Sequence, residues 1–397
     1  MSSHQHLQGR DREQDTRSTS PQSLGLPAAM FWPLSAAASV SQATATALDL
    51  MVTTLTGRDN TSPPPPEWVT PNTVRLELPS MQLRDFSVET AGHTTEPVTL
   101  VCAPFAFHRA TVADFAPGYS LVETLLSEGL RPLFVTDWRS ATAQMSNFSI
   151  DTYLADLNVA VDELKPPVNL IGLCQGGWLA LLYAARFPDK VGRLVLAGAP
   201  VDIAAAPSTL AQFVAATPHA AFEHLVRAGG GRAMGQQLLE AWGPLLAATE
   251  IGEVLQMPDS GDADDAHALE ARFRLWHAAT VDLPGPYYLQ FIRNLFRENQ
   301  IAGNRFMALG RCANLRDINI PICLLAGRDD ELVPPEQLLA TAHLIGTPPA
   351  DIVTLVEPCR HLSLFMGATT LRTAWRRIAF WLADETAPRS RVAQVRS

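Results

Sequence analysis

Six short apolar runs limit what this chain can fold into more than any other feature: PVTLVCAP (97–104), RPLFVTD (131–137), VNLIGLC (168–174), GRLVLAGAP (192–200), PICLLAG (321–327) and DIVTLVE (351–357). They are rich in Val, Leu and Ile, and mostly do not alternate with polar residues. Strands read this way when both faces of a sheet are covered, which is the usual condition of parallel sheets. Helix-like segments lie between them. In YSLVETLLSEG (119–129) and DTYLADLNVAVDEL (151–164) the apolar residues recur three and four apart, as on one face of a helix. Asp151 is the expected N-cap of the second, and Pro166-Pro167 its stop. Strands alternating with helices predict an α/β fold around a mostly parallel sheet.

The rhythm stops between about 202 and 318. That stretch is helix-like and carries Trp242, Trp276, Tyr287, Tyr288, Phe291 and Phe296. A structureless loop of this length is improbable in a compact domain, so residues 202–315 are expected to form a helical cap over one end of the sheet. The core is then 74–201 and 316–386. Upstream, residues 1–28 are polar and expected to be disordered. Residues 29–56 are expected to form a helix that docks on the main domain or meets a granule or partner surface. Pro63 to Pro66 mark a linker over 57–73, and 387–397 form a C-terminal tail. The 30–51 stretch is too interrupted by Ser, Thr, Pro and Asp for a membrane span, and the polar N-terminus lacks the apolar core of a secretory signal.

Composition narrows the function classes. A net charge of −10 argues against non-specific nucleic-acid binding, which needs a basic surface. Five cysteines, an odd number, suit a reducing compartment better than a disulfide framework and point to the cytoplasm. None forms a C-x-x-C pair, so no metal site is expected.

The chemistry concentrates at Gly172-Leu173-Cys174-Gln175-Gly176-Gly177, where a buried strand runs directly into the helix-forming segment WLALLYAARF. This is the strand–turn–helix setting of a nucleophile elbow, G-x-S-x-G, with cysteine in place of serine. Gly172 and Gly176 leave room for backbone to pass close to the bend. Cys174 would stand at a helix N-terminus that favours a thiolate, and the Gln175 amide would donate to an oxyanion. Cys102, Cys312, Cys323 and Cys359 have no such setting and are expected to be structural.

A cysteine nucleophile needs a base, and the base an orienting carboxylate. In this fold class the order is nucleophile, acid, histidine. Asp330 follows the strand ICLLAG within G-x-x-D-x-x-V-P, with Asp329 the next choice. His361 follows the last strand. His108 and His277 are weaker site candidates. The second oxyanion donor is expected from the loop after the first run, at the backbone amide of Phe105 or Ala106. GGGR (229–232) fits no phosphate-binding pattern and is expected to be a turn.

Taken together, these motifs resemble the catalytic domain of polyhydroxyalkanoate synthases and, more distantly, cysteine-type intracellular depolymerases. The synthase box G-x-C-x-G-G is similar to Gly172–Gly177. Further likeness lies in DFAPGYSLV (114–122), TDWRS with Trp138, WHAATVDLPG (276–285) and LFRENQI with Asn299. The resemblance covers about 97–385 and implies an α/β-hydrolase fold with a helical cap. It implies that Cys174 carries an acyl chain as a thioester and that His361 deprotonates Cys174. Asp330 would orient His361 or help activate the incoming hydroxyl. The implied substrate is a 3-hydroxyacyl group delivered by coenzyme A or held in a polyester, with no cofactor beyond that coenzyme A. Trp178, Trp276 and His277 are the expected substrate-binding residues. Granule contact would run through 30–56, and a homodimer is a candidate assembly. The chain departs from the family pattern at Glu331, where synthases commonly carry His, and at Arg360, where they commonly carry Gly. A depolymerase or thioesterase using the same triad therefore stays open beside the synthase, and a non-catalytic granule protein is the third reading.

Overall fold

The computed structural model describes residues 66–87, 97–246, 251–257 and 263–384. The expected N-terminal tail (1–28), the helix at 29–56, most of the linker and the C-terminal tail lie outside the described residues. Eight strands form one sheet: β1 (Thr73–Glu77), β2 (Met81–Asp85), β3 (Thr99–Cys102), β4 (Leu133–Trp138), β5 (Val168–Leu173), β6 (Val191–Ala197), β7 (Ile322–Gly327) and β8 (Ile352–Glu357). Their order is β1-β2-β4-β3-β5-β6-β7-β8. From β4 through β8 every neighbouring pair is parallel, while β1 and β2 add an antiparallel edge. The six apolar runs are thus the six parallel strands. In β3, β5 and β7 every residue is buried, which is why no polar alternation marks them.

Three helices define how chain returns across this sheet. They are α1 (Leu121–Ser127), α2 (Ile150–Glu163) and α3 (Gln175–Arg186). The Ser120 hydroxyl caps α1 by accepting from the Glu123 amide. The α2 cap corrects the expectation at Asp151. Ser149 is the N-cap, and its amide donates to the Thr152 hydroxyl. Asp151 sits inside the first turn and instead accepts the Leu309 amide at 2.8 Å. Helix α3 is buried from Gly176 through Ala185. It packs on β5 and β6 on one side, and Trp178 meets Phe291 and Phe306 on the other. A helix covered all round reads apolar all round.

The stretch 202–315 holds α4 (Thr209–Ala216), α5 (His219–Ala228), α6 (Gly235–Leu246), α7 (Ile251–Leu255), α8 (Ala263–Ala278) and α9 (Gly285–Gln290). A π-helical segment, Phe291–Arg297, continues α9. Two further short pairings, 232–233 with 283–284 and 307–308 with 311–312, tie it together.

The last residues of the expected linker are not a free spacer. Asp114, fully buried, accepts the amides of Val69 and Thr70 and the Thr70 hydroxyl on one side and the Ser120 hydroxyl on the other. Trp68 packs against Phe86, and Thr73 already belongs to β1. A buried carboxylate with four donors around it holds this segment onto the core.

Candidate active site

Cys174 sits between β5 and α3 with φ 49° and ψ −114°. For a residue with a side chain this is a strained conformation, costing on the order of 1–3 kcal/mol, and it persists only where surroundings fix it. Here they do. The Cys174 amide donates to the Ala197 carbonyl of β6 at 2.8 Å, and its carbonyl accepts the Gly177 amide at 2.9 Å. The glycines of the box leave no choice of residue. A Cβ on Gly176 would lie 2.1 Å from the Cys102 carbonyl oxygen, one on Gly172 2.5 Å from the Gly177 Cα, and one on Gly177 2.4 Å from the Ala199 Cβ. Backbone passes too close for any side chain.

The loops after β7 and β8 are laced together. The Arg328 amide donates to Glu357 O at 2.8 Å, and the Asp329 amide to Cys359 O at 3.2 Å. This extends the strand pairing by two residues and sets Asp330 beside His361. His361 Nδ1 and Asp330 Oδ2 are 2.6 Å apart, and both side chains are buried. The other oxygen of Asp330 accepts the Leu332 and Val333 amides at 3.0 and 2.9 Å. Of the two neighbouring aspartates, Asp330 is the one turned to the histidine, and Asp329 is exposed. The Cys174 side chain lies close enough to the His361 imidazole to help raise its pKa. Burial pulls the His361 pKa down, but the charges of Asp330 and of Cys174 as thiolate, with the hydrogen bond to Asp330, outweigh it. The imidazole therefore sits well above its ordinary 6.5.

The other thiols are unlike Cys174. Burial pushes Cys102, Cys323 and Cys359 each up to about 12, so they stay protonated. Cys312 is exposed, and its sulfur meets the Asn304 carbonyl oxygen at 3.0 Å. Among the described residues no group of three or more His, Cys, Asp or Glu is placed to hold a metal ion, and no helix is long and apolar enough to cross a membrane.

Cys174 and His361 open onto a cavity of about 390 Å³ whose wall is mostly apolar, with Phe291, Phe296 and Val254 supplied from the 202–315 stretch and Phe365 from beyond β8. Gln175, Ala106, Trp276 and His277 also line it. Phe105 does not. Its ring is buried, stacked on Tyr153 at 4.6 Å, and its carbonyl accepts the Tyr287 hydroxyl at 3.3 Å. Among the described residues no acceptor meets the Phe105 or Ala106 amide. Trp178 corrects an expectation: it lies away from the cavity, 1% exposed, among Tyr287, Phe291 and Phe306. It is on the buried side of α3, so its bulk serves packing rather than substrate contact.

Two residues at the cavity were not singled out from sequence as a pair. Arg360, next to His361, faces Glu331 at 3.9 Å and Glu253 of α7 at 3.8 Å. Only the three-dimensional approach of α7 to the β8 loop reveals this. His108 lines the same cavity, and its ring stacks on Trp276 with centroids 4.5 Å apart.

A family model described as alpha/beta hydrolase fold matches residues 127–368. The poly(3-hydroxyalkanoate) polymerase subunit PhaC of Synechocystis sp. is 28% identical over 72% of this chain and 78% of that protein. The subunit of the same name from Haloferax mediterranei is 23% identical over 80% of this chain, which spans 64% of that relative's length, just under two thirds. Among solved structures, a monoacylglycerol lipase from Paleococcus ferrophilus aligns with a TM-score of 0.49 at 17% identity, covering 76% of this chain and 98% of that one.

Proposed function

Since the chain belongs to the alpha/beta hydrolase fold family, we propose that it is a cysteine-dependent acyltransferase of the polyhydroxyalkanoate synthase type, acting on 3-hydroxyacyl-coenzyme A. The observation that carries the reading is the strained Cys174 beside His361, itself held by Asp330, at the wall of an apolar cavity. Similarity to poly(3-hydroxyalkanoate) polymerases over most of the chain supports the substrate class.

The chemistry runs in two balanced steps. His361 Nε2 takes the Cys174 proton, and the thiolate attacks the thioester carbonyl carbon. The oxyanion is met by the Gln175 amide and by the amide of Ala106 or Phe105. The C–S bond to coenzyme A breaks, the departing sulfur takes the proton from His361, and the acyl group remains on Cys174. In the second step His361 removes the proton of an incoming hydroxyl, whose oxygen attacks the Cys174 thioester. The sulfur leaves and recovers the proton. A hydroxyl at a chain end lengthens a polyester; water yields a free hydroxy acid. Asp330 orients His361 throughout and stabilises its cationic form.

One observation favours the hydrolytic alternative, a depolymerase or thioesterase with the same triad. Two of the positions where the chain departs from the synthase pattern, Glu331 and Arg360, lie opposite each other at 3.9 Å on the cavity wall. Paired charges there alter the approach of the acceptor. The test is incubation of the purified protein with 3-hydroxybutyryl-coenzyme A and, separately, with amorphous polyester, scoring polymer, free acid and coenzyme A together. Polymer with coenzyme A release supports the transferase. Free acid from either substrate supports the hydrolase. No product from either refutes both.

A further inference from the structure

The proposed reaction brings a hydroxyl-bearing acyl group into the cavity, and that hydroxyl needs a hydrogen-bond acceptor. Asp330 is not available. One of its oxygens already accepts two backbone amides, the other is engaged by His361, and its side chain is completely buried. Gln175 Oε1 is likewise shut away from solvent. The acceptor has to come from elsewhere on the wall.

His108 meets the requirement. Its Nε2 lies 3.2 Å from the carbonyl oxygen of His277. A carbonyl only accepts, so Nε2 carries the proton. The ring is neutral as well. Burial, then the neighbouring His277, push its pKa down to about 3, against a smaller upward pull from the bond to the His277 carbonyl. A neutral imidazole protonated at Nε2 leaves a lone pair on Nδ1. Among the described residues nothing donates to Nδ1, and it is not one of the buried unpartnered atoms. The cavity wall includes His108, so the lone pair is open to the cavity. The ring cannot turn freely. It stacks on Trp276 with an interplanar angle of 23°, with Phe107 at 4.6 Å and His277 at 4.8 Å between centroids. The backbone is held too: Phe107 O accepts the Val281 amide at 3.0 Å, and His108 bridges to Thr280.

We infer that His108 Nδ1 is the hydrogen-bond acceptor for the hydroxyl of a hydroxyacyl group held in this cavity, so that the site discriminates hydroxyacyl from plain acyl thioesters. This rests on the function proposed above. The readout is the ratio of kcat/KM for 3-hydroxybutyryl-coenzyme A to that for butyryl-coenzyme A, in the wild type, His108→Gln and His108→Asn. Glutamine keeps a donor for the His277 carbonyl but loses the acceptor near the ring's δ position, whereas asparagine keeps an acceptor there. The ratio should fall about three- to tenfold in H108Q, the range of one neutral hydrogen bond, and stay within about twofold in H108N. A structural role would lower both substrates alike and leave the ratio unmoved, and partial unfolding cancels in it. A ratio unchanged in H108Q, or lost equally in both variants, overturns the assignment while leaving the enzyme reading intact. A wild-type protein that releases coenzyme A from neither thioester overturns both.

Discussion

Replacing Asp330 by asparagine removes one charge and almost no volume. The introduced amide can still accept the Leu332 and Val333 amides through its oxygen, as Asp330 does at 3.0 and 2.9 Å. Its NH2 group then faces His361 Nδ1, where a carboxylate oxygen lay at 2.6 Å. Two donors cannot share that contact. The imidazole proton shifts to Nε2, and the nitrogen facing Cys174 is no longer a base. The lost charge-assisted hydrogen bond, about 1.5–3 kcal/mol, lowers the rate about ten- to a hundredfold by itself. The wrong tautomer adds to this, since the same exchange in a Ser-His-Asp site costs about 10⁴. The expected loss in coenzyme A release from 3-hydroxybutyryl-coenzyme A is about 10³–10⁴. A second signature follows from charge. Burial pulls the His361 pKa down and the Asp330 charge pulls it up. Without that charge the imidazolium loses its proton at lower pH, so the alkaline limb of the rate profile moves downward. Stability carries the same sign: with the folded pKa raised, the His361 contribution is full below about 6.5 and is lost as pH rises through the folded value. A D330N enzyme within about twofold of wild type, with an unmoved alkaline limb, refutes the reasoning.

Two further outcomes concern the frame of the site. Gly176→Ala places a methyl group 2.1 Å from the Cys102 carbonyl oxygen and 2.7 Å from that of Ala103. Backbone must shift, so thermal melting should show a loss of at least about 1–3 kcal/mol, and a melting temperature equal to wild type contradicts the crowding argument. Trp178→Leu removes a ring 1% exposed and packed on Phe291 and Phe306. Denaturant unfolding should show a loss of about 2–4 kcal/mol, with the KM of the folded fraction unchanged; a raised KM without destabilisation returns Trp178 to the substrate.

The parallel sheet was legible because β3 to β7 are buried almost throughout, and such runs stand out from polar surroundings; β8 is apolar in sequence although only Leu355 is buried. The elbow was legible because β5, Cys174 and α3 are contiguous, so a single stretch carries the whole signal. Asp330 and His361 were legible because each directly follows a strand and the parallel register of β7 and β8 places them side by side. What escaped is contact between distant segments. The β1–β2 hairpin is short and its first strand largely exposed, with Arg75, Glu77 and Arg84 diluting its apolar positions, although the Val74–Leu76 and Met81–Leu83 alternation was a usable sign. Trp178 and Trp276 look alike in sequence, yet one faces the rings of 291 and 306 and the other the cavity. The approach of Glu253 to Arg360 joins residues over a hundred positions apart and leaves no local trace.

The central claim concerns one sulfur, and intact-protein mass spectrometry after rapid mixing with 3-hydroxybutyryl-coenzyme A tests it most directly. The account predicts a hydroxylamine-sensitive acyl adduct that maps to the peptide containing Cys174 and is absent from Cys174→Ala. Coenzyme A release at the wild-type rate by Cys174→Ala, or an adduct on another residue, contradicts it.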